Sequence, residues 1–131
     1  MQIKTYLDGI LDKIATNPHV ESQNISFEER PPDAAYITGI ITFIDGSKLH
    51  IKEFLIFKSE AAAIVKFGYH YLSRNHVLIF RYNNALDPKA KKLSTYPEHK
   101  HTPDGLILFR RPLLEDILRE ISGLIGRSIK K

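Results

Sequence analysis

Apolar residues recur at every second position through most of the stretch from Ala35 to Asn83, and no other feature limits the fold so sharply. A period of two sends alternate side chains to opposite faces of a strand, so such runs build a sheet with one face buried. Ala35 to Ile44 sets Ile37, Ile41 and Phe43 against Thr38 and Thr42. Asp45-Gly46 then offers the residue pair of a tight hairpin turn. Lys48 to Lys58 returns with Leu49, Ile51 and Glu53 on one face, and Phe54 to Phe57 is apolar on both faces, which predicts an internal strand. Two further strands follow, Ile64 to Leu72 and Val77 to Asn83, joined by a bend at Ser73-Arg74-Asn75. Phe67, Tyr69 and Tyr71 share a face in the first, where alternate aromatics are packing residues. Arg81 shares a face with Val77 and Ile79 in the second.

Helical spacing brackets this block. Ile3, Leu7, Ile10, Leu11 and Ile14 predict an N-terminal amphipathic helix ended by Asn17-Pro18. Val20 to Glu29, extended and polar, reads as an edge strand closed by Pro31-Pro32-Asp33. Leu106 to Phe109 suits a short last strand. Pro112 suits the first position of a final helix that buries Leu113, Leu114, Ile117, Leu118, Ile121, Leu124 and Ile125. Between them, Asn84 to Gly105 carries Pro88, Pro97 and Pro103 and reads as a long loop, a kind of segment that is usually functional or disordered. The expected architecture is a single α+β domain over residues 1–131, an antiparallel sheet of about five strands with an N-terminal and a C-terminal helix. No segment approaches the roughly 20 apolar residues that cross a bilayer. The N-terminus lacks a signal-peptide pattern and the chain has no cysteine, so the cytoplasm is the expected compartment.

The formal charge is +4 with six histidines uncounted, a balance that favours polyanionic partners such as RNA. Lys89, Lys91, Lys92, His99, Lys100 and His101 crowd one segment against Glu98 alone. His99 and His101 are one residue apart, so in extended backbone they share a side, and two imidazoles there can act as base and acid near neutral pH. A zinc site needs a third ligand, and His70, His76, Glu53 and Asp104 stand at no diagnostic spacing, so no metal or cofactor is assigned. Arg81 requires a partner: either Glu53 or Glu98 in an ion pair, or a phosphate held by its fork. Glu53, on an apolar face, is at a bulge, paired, or used. Tyr82 flanks Arg81 and reads either as packing or as a surface on which a base stacks. Glycine-rich phosphate loops, His-Glu-x-x-His helices and Gly-x-Ser-x-Gly elbows are absent, which removes nucleotide-driven and serine-hydrolase chemistry.

Gly68-Tyr69-His70-Tyr71, Ile79-Phe80-Arg81-Tyr82-Asn83-Asn84-Ala85, Pro97-Glu98-His99-Lys100-His101 and Pro112-Leu113-Leu114 together resemble the TumE family of toxins from type II toxin–antitoxin pairs. Asp45-Gly46-Ser47 and Glu53 fit upstream, and the N-terminal helix adds little. The family usually carries Asp where this chain has Asn83 and a second His where it has Glu98, which argues against a metal or base role at position 83. The resemblance implies a growth-inhibiting toxin with a helix-turn-helix antitoxin as cognate partner, and allows a homodimer. By analogy with small toxins of this build, it implies a metal-independent ribonuclease. In that scheme His99 and His101 share the proton transfers, Arg81 and Lys100 stabilise the phosphorane, and Glu53 orients an imidazole. Tyr82, Asn83, Asn84 and Lys92 hold the substrate. The rival readings are a binding module that occludes RNA or a protein without cutting, and a family member without activity.

Overall fold

A computed structural model describes residues 3–58, 61–84, 99–102, 105–108 and 114–129. In chain order they form α1 (Ile3–Ala15), β1 (Val20–Arg30), β2 (Ala34–Phe43), β3 (Lys48–Lys58), β4 (Ala61–Leu72), β5 (Leu78–Asn83), β6 (His99–Thr102), β7 (Gly105–Leu108) and α2 (Leu114–Ile129). The strands make one antiparallel meander in sequential order, with β1 at one edge and β7 at the other. The α+β class, the flanking helices and the polar edge strand all agree with the sequence pattern. The sheet also extends further, because β6 and β7 add to it beyond β5.

Two hairpins share one turn chemistry. Gly46 N–H donates to the Phe43 carbonyl and Phe43 N–H to that of Ser47, with Gly46 at φ 86°. This is a type I turn closed by a left-handed residue, the usual three-residue hairpin loop. Between β4 and β5 the bonds repeat: His76 N–H to the Ser73 carbonyl and Ser73 N–H to that of Val77. Here His76 takes the left-handed place, at φ 64°.

Both helices lie on one face of the sheet. Leu7, Ile10 and Ile14 of α1 and Leu114, Ile117, Leu118, Ile121 and Ile125 of α2 share a single buried cluster with Ile37, Leu49, Ile51, Leu55, Tyr69, Tyr71 and Phe80. Ser122 ties α2 to the connection between α1 and β1, its hydroxyl lying 3.0 Å from Asn17 Nδ2 and 3.0 Å from His19 Nδ1. β4 starts three residues before the expected Ile64, because Ala61, Ala62 and Ala63 pair with Lys58, Phe57 and Ile56. Ladder pairing overrides the weak strand preference of alanine. The register shifts between Phe54 and Leu55, which leaves Val65 bulged and exposed. Among the described residues, no helix is long and apolar enough to cross a membrane.

Candidate functional site

The ladder registers assemble a surface that no single segment reveals. Asn24 faces Ile40, Ile40 faces His50, His50 faces His70, His70 faces Arg81, and Arg81 faces the backbone position of His101. Directly paired residues in a sheet project to the same face. One cross-strand row therefore spans six strands on the face away from both helices. A second row runs beside it through Ser26, Thr38, Lys52, Gly68, Asn83 and the position of His99. Arg81, His99 and His101, 20 residues apart at their extremes, fall within two adjacent positions of each other.

These rows frame an open trough of about 540 Å³, lined by Asn24, Ser26, Thr38, Gly39, Ile40, His50, Ile51, Lys52, Gly68, His70 and Arg81. None of those residues is acidic. The His50 and His70 rings are 6.2 Å apart at 54°. Arg81 Nε is sealed from solvent with no hydrogen-bond partner, and no ion pair among the described residues reaches this guanidinium. A buried donor left unmade is unfavourable.

Several expected site residues belong elsewhere. Glu53 is on the helix-covered face, 2% exposed, and accepts hydrogen bonds from Tyr6 (2.6 Å) and Tyr69 (2.5 Å). It lies on the face opposite the trough that Arg81 lines, so it is not the partner of Arg81, and the register positions of His99 and His101 belong to the trough-side rows. Two phenols satisfy the carboxylate, for which the sequence left a bulge, a cation or a functional use open. Tyr82 is 3% exposed and donates 2.7 Å to Glu120 Oε1 of α2, so it packs and does not stack on substrate. Burial pushes its hydroxyl pKa far above the ordinary tyrosine value, and the adjoining Glu120 carboxylate adds to the shift. Tyr71, which donates 2.7 Å to Ser47, is also raised by burial, with Asp45 adding and the Ser47 bond opposing.

Asn84 is a clip. Its Oδ1 accepts from Phe67 N–H at 3.0 Å and its Nδ2 donates to the Val65 carbonyl at 2.9 Å, which satisfies β4 backbone groups just past the Gly68–Asn83 end of the β4–β5 ladder. Asn83 is 9% exposed and stands opposite Gly68 in the trough-side row. Lys100 occupies the register position opposite Tyr82, the row of the helix-covered face and not that of Arg81. Lys92 and Glu98 lie outside the described residues. His50 and Lys52 were not singled out in the sequence because each alternates with core residues and so reads as a solvated position, and His70 was weighed there only as a metal ligand and as part of the family motif. Straight counting outward from the β4–β5 turn sets His70 opposite Phe80, and only the register shift between Tyr71 and Leu72 brings it opposite Arg81.

The family model described as Toxin TumE matches residues 10–125, which takes in all seven strands, the C-terminal part of α1 and most of α2. No curated protein and no solved structure matches the chain.

Proposed function

The chain belongs to the TumE toxin family, and from that premise we propose that it inhibits growth by cutting RNA, with the open face of the sheet as its active surface. One observation carries the reading: the ladder brings Arg81 between His70 and the position of His101, at a trough with no acid among its described lining residues. Metal-independent cleavage needs three things on one surface: an imidazole to take the 2′-hydroxyl proton, a second to protonate the departing 5′-oxygen, and a cation for the phosphorane.

Here His101 and His99 serve as the proton-transfer pair, and His70 stands in the same row as a third imidazole within reach. The Arg81 fork holds the phosphate, with Lys52 supplying the second charge that the sequence pattern assigned to Lys100. The 2′-oxygen bonds to phosphorus as the bond from phosphorus to the 5′-oxygen breaks. The products are a 2′,3′-cyclic phosphate and a 5′-hydroxyl end. Asn83, which carries no negative charge, lets a polyanion approach the row it occupies. The cognate antitoxin belongs to the same proposal, as a short helix-turn-helix protein encoded beside the toxin.

Purified protein incubated with total RNA in chelator tests the reading. Fragments with 5′-hydroxyl ends, lost in His101→Ala, are the expected result. Growth inhibition that is stoichiometric, salt-sensitive and free of fragments would replace cleavage with occlusion.

A further inference from the structure

The trough is not uniform from end to end. Over β3, β4 and β5 its lining includes every cationic or imidazole side chain, His50, Lys52, His70 and Arg81, beside Ile51 and Gly68. Over β1 and β2 it is uncharged: Asn24, Ser26, Thr38 and Ile40. The two halves meet without a break, since Ile40 pairs with His50 and Thr38 with Lys52. Four strand spacings separate β5 from β1, about 19 Å. A phosphate held at Arg81 thus leaves room for flanking nucleotides to lie across the sheet toward β1.

We propose that the β1–β2 end of this trough is a nucleobase pocket that makes the protein selective for one base in single-stranded RNA. The inference rests on the RNA reading above and adds the substrate's form and a specificity residue. Ile40 is 38% exposed, an apolar floor for a base face. Asn24 is exposed, and its amide makes no hydrogen bond among the described residues, so both its donor and its acceptor are free. An amide in that state can bond two edge atoms of one base, the pairing by which Asn reads nucleic acid. The Ser26 and Thr38 hydroxyls, 3.3 Å apart, share one hydrogen bond beside Asn24. A trough of about 540 Å³ has the volume of a small-ligand site, which suits an unpaired base.

The test uses five-nucleotide 2′-O-methyl RNAs, which lack the attacking hydroxyl, with each position varied through the four bases. Fluorescence anisotropy reads their affinity. The intact protein should prefer one base at one position by about tenfold, and Asn24→Ala should level that preference while binding persists. Lys52→Ala should weaken all sequences alike and flatten the salt dependence. Equal affinity for every base, or a preference that survives Asn24→Ala, overturns the pocket, as does binding that favours duplex RNA. Selective binding by a protein that never cuts unmodified RNA would sink the cleavage reading and leave the pocket standing.

Discussion

Arg81 stands directly opposite His70 in the β4–β5 ladder, and its Nε is enclosed without a hydrogen-bond partner. A folded chain that keeps such a group accepts an instability of about 1–3 kcal/mol, the usual penalty for an unsatisfied buried donor. Replacing Arg81 with methionine should therefore raise stability by about 1 kcal/mol in urea denaturation, because the stem still packs and the orphan donor is gone. The same variant should abolish growth arrest. Loss of both stability and toxicity would instead mark Arg81 as structural.

The second prediction separates the faces of the sheet. Glu53 holds Tyr6 of α1 and Tyr69 of β4 on the covered side. Tyr6→Phe leaves that buried carboxylate one donor short and should lower stability by about 1.5–3 kcal/mol. RNA cleavage per folded molecule, measured where the variant remains native, should be unchanged. A fall in cleavage without a fall in stability would return Glu53 to the active surface.

Alkaline pH supplies the third. Tyr82 and Tyr71 both have folded-state pKa values raised above the unfolded 10.0, chiefly by burial. In the folded chain they stay protonated where the unfolded chain has begun to ionise. Their contribution to stability is thus full below pH 10 and is lost as pH rises above it. Urea midpoints should fall from about pH 10 upward. Tyr82→Phe should lose the Glu120 bond at neutral pH yet show a shallower alkaline decline. An equally steep decline in the variant would assign the effect to other groups.

How much of this was legible beforehand follows from what each residue depends on. Period-two alternation fixed β2, β3 and β5, because burial of one face is a local demand. The helices followed from the 3.6-residue period of their apolar side. β6 escaped because His-Lys-His-Thr carries no apolar alternation and sits in a proline-marked stretch; it is a strand by pairing with β5. The partners of Glu53 are 47 and 16 residues away in sequence, and Glu120 is 38 residues from Tyr82, distances that no local pattern encodes. The trough was hidden for a related reason. Its residues look like ordinary exposed positions until the registers align them.

Two glycines give the sharpest comparison between the sheet's faces. A Cβ on Gly39 would lie 2.3 Å from Ile25 Cδ1 and 2.8 Å from the Asn24 carbonyl oxygen. Since that oxygen is backbone, β1 itself must move, and Gly39→Ala should destabilise by about 1–3 kcal/mol, as overpacking does. A Cβ on Gly68 meets nothing within 4 Å, because Gly68 opens into the trough between Lys52 and Asn83. Gly68→Ala should leave stability level or raise it by about 0.5–1 kcal/mol, since glycine weakens a strand interior. Gly68→Trp should fold with a similar urea midpoint while its indole occupies the space an RNA strand needs. Binding of the 2′-O-methyl oligonucleotides and growth arrest should then fall together. A tryptophan variant that folds, binds and arrests growth like the parent would mean that the working surface lies somewhere other than this face.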